Sequence, residues 1–147
     1  MSEAAETKEG EGIGLTEPIS LRIPSSPEFV LLARSVVSHV GQLAGFGPED
    51  VYDLKLAVTE AATNVIRHAK VEAFEVEYRV KPGTVEITVR DAGGGFTVDD
   101  LTRDPDGQGG FGLAVIRGLV DDVAFDSTKG GGTRLRMVRR VAPLDEG

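Results

Sequence analysis

Glu60 and Asn64 place a carboxylate and a carboxamide four residues apart. If the stretch is helical, that separation puts both side chains on one face, a turn apart, where a single ligand can touch both. The carboxylate can polarise a hydroxyl or a water, and the amide oxygen can hold Mg²⁺; phosphoryl transfer needs both. Glu is common on exposed helices, so the pair alone reads first as a solvated surface. Its meaning depends on what surrounds it.

Asp91 is followed by Gly93, Gly94 and Gly95. A carboxylate is thereby fixed beside a backbone that a flat ring can approach closely, and it could accept a proton from the amino group of adenine. An ordinary Asp-Gly turn after a strand is an equal reading of the same residues. Gly107-Gln108-Gly109-Gly110-Phe111-Gly112 satisfies the spacing of a dinucleotide fingerprint, but that fingerprint requires a strand just before it, and residues 101–106 form a polar stretch with Pro105. What remains is a glycine loop that delivers backbone N–H groups at a helix start, a good place for phosphates. The P-loop string is absent from the sequence, and so is the Gly-x-Ser-x-Gly elbow of a hydrolase. His39 and His68 fall on different predicted helices, which argues against a His-based triad or metal site.

The elements that must carry these residues follow from periodicity. Ile19 to Ile23 alternates apolar and polar residues and stops at Pro24, predicting a short strand. Phe29, Leu32, Ala33, Val36, Val40 and Leu43 recur at helical spacing, with Gly45 and Gly47 closing the helix. A second helix is predicted from Pro48 to about Ala69, its apolar stripe formed by Val51, Leu54, Val58, Ala61, Ala62, Val65 and Ala69. On that helix Glu60 and Asn64 fall roughly opposite the stripe. Ala73 to Val80 and Thr84 to Arg90 read as a hairpin around Lys81-Pro82-Gly83. After the glycine-rich stretch come a helix from Leu113 to Val120 and strands at Asp122 to Ser127 and Thr133 to Val141. The order is that of an α+β two-layer sandwich, a sheet with helices on one face.

A chain of 147 residues has room for one domain. We place it at residues 18–142, between an acidic tail of residues 1–17, too poor in aliphatic residues to fold, and a loose tail of residues 143–147. No apolar run approaches the ~20 residues of a membrane helix. The absence of cysteine suits a reducing, cytoplasmic setting. A net charge of −8 repels nucleic-acid backbones, so a protein or small-molecule partner is favoured. Any bound nucleotide must be held by local devices: Mg²⁺, backbone N–H groups and helix N-termini.

Leu56-Ala57-Val58-Thr59-Glu60-Ala61-Ala62-Thr63-Asn64-Val65-Ile66-Arg67-His68-Ala69 resembles the N-box of the anti-sigma-factor serine kinases, a Bergerat (GHKL) family. Asp91-Ala92-Gly93-Gly94-Gly95-Phe96 is similar to their first glycine box, Gly110-Phe111-Gly112-Leu113 to the second, and Gly132-Thr133 to a terminal Gly-Thr element. The resemblance runs from about Ile19 to Val141 and implies a mixed, largely antiparallel sheet with ATP between the N-box helix and a glycine lid. It assigns Glu60 as general base, Asn64 as Mg²⁺ ligand and Asp91 as reader of adenine. Gly93 and Gly95 would admit the ring, Gly110 and Gly112 would offer N–H groups to the phosphates, and Thr133 would support Asp91. Many relatives carry Arg where this chain has Gly109, so a cationic phosphate contact is either missing or supplied by Arg103.

The same resemblance implies a kinase that phosphorylates a serine of a small anti-anti-sigma (STAS-domain) protein, sequesters a sigma factor and forms a homodimer, with no direct nucleic-acid or membrane partner. Two other readings stand beside it. One is an ATP-binding module that grips a protein partner without appreciable transfer; the other is a nucleotide-free scaffold whose glycines only make turns.

Overall fold

The computed structural model describes residues 12–92, 112–128 and 131–141. Five strands, β1 (Ile19–Pro24), β2 (Ala73–Lys81), β3 (Thr84–Asp91), β4 (Asp122–Thr128) and β5 (Gly132–Arg140), form one sheet in the order β1-β2-β3-β5-β4. Among the described residues three helices, α1 (Val30–Ala44), α2 (Pro48–His68) and α3 (Gly112–Leu119), accompany it, with a short 3-10 turn at Pro27–Phe29 before α1. All four strand pairings are antiparallel. The sheet, expected to be mixed and largely antiparallel, is antiparallel throughout its described part.

Alternation within the strands sorts the two faces of the sheet. Ile23, Phe74, Val76, Tyr78, Val80, Val85, Ile87, Val89, Leu135 and Met137 are buried with the helices. The other face carries charges paired across neighbouring strands, among them Arg90 with Glu75 at 3.0 Å and Arg136 with Glu86 at 3.1 Å. A sheet with one wet face needs this period-two pattern, which is why its strands were readable.

The helices end where local chemistry says they must. Gly45 closes α1 in the left-handed conformation (φ 91°), and Pro48 opens α2 with Glu49 and Asp50 in its first turn. The buried stripe of α1 is Val30, Ala33, Val37, Val40, Gly41 and Ala44, while Leu32 is half exposed. The stripe is thus turned from the predicted one toward the small residues. Those let α1 approach α2 closely: a Cβ on Gly41 would lie 2.7 Å from Val51 Cγ2. Tyr78 fastens the layers, its hydroxyl donating to the Ala33 carbonyl at 2.9 Å inside the core.

Residues 12–18 are more attached than the composition of residues 1–17 suggested. The Leu15 N–H donates to the Val80 carbonyl at 3.0 Å, Ile13 N–H to that of Leu43, and Leu15 packs on the edge of the core. One aliphatic side chain and two backbone hydrogen bonds suffice where a strand end and a helix end offer free carbonyls. Residues 142–147 lie outside the described residues.

Candidate functional site

The candidate residues sort by element. Glu60 and Asn64 lie on the C-terminal half of α2, Gly112 begins α3, Asp91 ends β3, and Thr133 is the second residue of β5. Because α2 leads into β2, and β2 runs antiparallel to β3, the C-terminal end of α2 and the end of β3 lie at the same end of the sandwich. Gly93, Gly95, Arg103 and Gly110 fall outside the described residues.

Glu60 and Asn64 do not form a solvated face. Asn64 is only 5% exposed, because α3 lies over it. A Cβ on Gly112 would come within 2.8 Å of Glu60 Oε2, 2.9 Å of Asn64 Nδ2 and 3.1 Å of Asn64 Oδ1. The apolar stripe of α2 meets the sheet, and the other side of the helix is covered by the start of α3. A one-helix projection cannot show this, since it treats everything off the stripe as water-facing. The same contact explains Gly112: any side chain would collide with two polar groups held one helical turn apart.

The Asn64 amide has a polar atom with no partner in the described fold. Its Nδ2 is buried with no hydrogen-bond partner among the described residues. Leaving a buried donor unmatched costs about 1–3 kcal/mol, and such groups in native proteins call for an explanation. Which amide atom is oxygen and which nitrogen is assigned from hydrogen bonds. In the assigned orientation Nδ2 stands unspent beside the N-terminal end of a helix.

Asp91 and Thr133 form the second part of the site. They are directly opposed across β3 and β5, and the Thr133 hydroxyl donates to Asp91 Oδ2. Asp91 is 7% exposed and follows Val85, Ile87 and Val89 on the helix-facing side of the sheet. Gly132 allows this corner to close. Its φ is +90°, and a Cβ there would fall 2.0 Å from the Asp91 carbonyl oxygen. The sequence marked Gly132 only as part of a Gly-Thr element; its steric role depends on the register of β3 and β5.

A cleft of about 520 Å³ opens at this end, lined by Arg22, Phe74, Glu75, Arg90, Asp91 and Ala92 among others. Arg22, Glu75 and Arg90 belong to the charged face of the sheet, and neither Glu60, Asn64 nor Gly112 lines it. The cleft shares Asp91 with the candidate site but not the Glu60–Asn64–Gly112 cluster. Among the described residues no group of three or more His, Asp or Glu side chains could hold a metal. Mg²⁺ is ordinarily held by one or two protein oxygens together with substrate phosphates, and the Asn64 amide fits that mode. No described helix is long and apolar enough to cross a membrane.

Comparison with known proteins agrees with this fold. The family model described as "Histidine kinase-like ATPase domain" matches residues 23–139. A serine-protein kinase RsbW of Oceanobacillus iheyensis is 33% identical over 127 residues, covering 76% of this chain and 80% of the relative. One from Listeria monocytogenes is 37% identical over 122 residues, covering 73% and 78%. Among solved structures, that of the RsbU and RsbW domains of Rv1364c from Mycobacterium tuberculosis superposes with a TM-score of 0.65 at 19% identity. It covers 86% of this chain and 33% of that longer one, and bears on the fold alone.

Proposed function

The chain belongs to the histidine kinase-like ATPase domain family, and we propose from that premise that it is an ATP-dependent serine-protein kinase acting on a protein partner. The observation that carries the proposal is the meeting of Glu60, Asn64 and the α3 N-terminus around a buried amide whose Nδ2 has no partner among the described residues. Relatives named serine-protein kinase RsbW support the choice of serine as acceptor.

In this reading Asp91, steadied by Thr133, accepts a hydrogen bond from the adenine amino group. Gly93 and Gly95 admit the ring. The phosphates lie toward the N–H groups of Gly112 and Gly110, with Arg103 a candidate cationic contact in place of the Arg that Gly109 replaces. Asn64 would hold Mg²⁺, which neutralises charge on the phosphates. Glu60 accepts the proton of the serine hydroxyl as its oxygen bonds to the γ-phosphorus and the bond to ADP breaks. The partners we propose are an anti-anti-sigma (STAS-domain) protein as phosphoryl acceptor and a sigma factor as the protein sequestered. A cytoplasmic homodimer is part of the same proposal.

Incubation with ATP, Mg²⁺ and a STAS-domain acceptor should yield phosphoserine with the wild type, and Glu60→Ala should abolish it while ATP binding persists. Undiminished phosphoserine with Glu60→Ala would reject the assignment. Gly109 favours a second reading, in which bound ATP only shapes a partner-gripping surface. That reading requires ATP-dependent partner binding with the γ-phosphate left intact.

A further inference from the structure

Arg139 joins three elements at the end of the molecule away from Asp91. It lies on the helix-facing side of β5, opposite Val85. Its guanidinium meets Asp50 Oδ1 at 2.6 Å and Asp53 Oδ2 at 3.4 Å, and donates to the Leu119 carbonyl. Asp50 is in the first turn of α2, Asp53 lies one turn further on, and Leu119 is the last residue of α3. The Arg139 Nε is buried without a hydrogen-bond partner among the described residues. The fork is therefore directed at these acceptors even though one donor is stranded. Arg140, the next residue, shows the ordinary alternative: it pairs with Asp122 on the charged face, both side chains more than half exposed.

We infer that Arg139 is a positioning residue for the nucleotide. It pins the C-terminal end of α3 to the N-terminal end of α2, and so sets how closely Gly112, at the other end of α3, presses on Glu60 and Asn64. α3 has 8 residues and spans ~12 Å, short enough to move as a rod. A rod fixed at one end by a glycine contact and at the other by a charged fork has little freedom to tilt. Without the fork, Asp50 and Asp53 lose their shared cation, the last α3 carbonyl loses its donor, and the spacing at Gly112 is no longer fixed. The inference rests on the proposal that ATP phosphates bind beside Gly112.

Two measurements on the full chain test it: hydrogen exchange of the α3 amides without nucleotide, and calorimetric titration with ATP and Mg²⁺. Arg139→Met should speed α3 exchange and weaken ATP about tenfold, the equivalent of one charge-assisted hydrogen bond. Arg139→Lys should recover part of both losses, and Arg140→Met should change neither. Asp53→Asn, which leaves the shorter Asp50 contact in place, gives a smaller shift of the same sign and serves if Arg139→Met does not fold. Wild-type exchange and affinity in the Arg139 and Asp53 variants would overturn the inference, as would an equal effect of Arg140→Met. Failure of the wild type to bind ATP would instead defeat the functional proposal, while the exchange measurement would still report on the tie.

Discussion

Gly112→Ala separates a site residue from a structural one, because its consequences can be worked from contacts already described. The added Cβ meets Glu60 Oε2 at 2.8 Å and the two ends of the Asn64 amide at 2.9 and 3.1 Å. Glu60 is long and can swing its carboxylate away, but Asn64 is buried and has little space to yield. Overpacking on this scale costs about 1–3 kcal/mol, while alanine in place of a helical glycine returns about 0.5–1 kcal/mol. The net loss of fold stability is therefore between about 0 and 2.5 kcal/mol. The effect on nucleotide is larger. Turning the Asn64 amide out of place removes a contact to a charged ligand worth roughly 1.5–3 kcal/mol, about a ten- to hundredfold loss of affinity. Gly118→Ala is the internal control, since a Cβ there meets nothing within 4 Å. It should leave ATP binding untouched and hold or raise the melting temperature. The assay is titration with ATP and Mg²⁺ alongside urea unfolding of wild type and both variants. Wild-type affinity and wild-type transfer in Gly112→Ala would refute the reasoning.

Two further predictions concern the fold that holds the site. Burial pushes the Tyr78 phenol well above its ordinary ionisation range. The unfolded chain therefore releases this proton first, and the stability the buried phenol contributes should be full below about pH 10 and lost as pH rises beyond it. Tyr78→Phe should flatten that alkaline decline in urea midpoints while costing about 0.5–1.5 kcal/mol at neutral pH, the worth of the hydrogen bond to the Ala33 carbonyl; an unchanged alkaline slope would count against the buried hydroxyl. Lys70 follows α2 with φ 55°, a conformation that costs a non-glycine residue about 1–2 kcal/mol. Lys70→Gly should raise the melting temperature by a few degrees, and a fall would show that the lysine side chain earns its strained backbone through a contact.

Much of this molecule could be read from spacing. The hairpin of β2 and β3 follows from alternation around Lys81-Pro82-Gly83, and the ends of α1 and α2 from Gly45 and Pro48, because these signals act within a few residues. The pairing of Glu60 with Asn64 needed only the helical repeat. What escaped was set by elements far away in sequence. The burial of Asn64 depends on α3, the demand for glycine at position 132 on the register of β3 with β5, and the role of Arg139 on two helices meeting beside a strand. The exposure of Leu32 has the same origin, since α1 is turned by the close approach of Gly41 to Val51 rather than by its own largest residues.

Asp91 offers the most direct test of nucleotide recognition, because a carboxylate that accepts from the amino group of adenine meets an oxygen at the same place on guanine. Calorimetric titration of the wild type with ATP and with GTP, each with Mg²⁺, and of Asp91→Asn with both, measures that preference. The account predicts strong ATP binding, at least tenfold weaker GTP binding, about 1.4 kcal/mol or more, and loss of the difference in Asp91→Asn. Equal affinities for the two nucleotides in the wild type, or an Asp91→Asn protein that still prefers ATP as strongly, would contradict it.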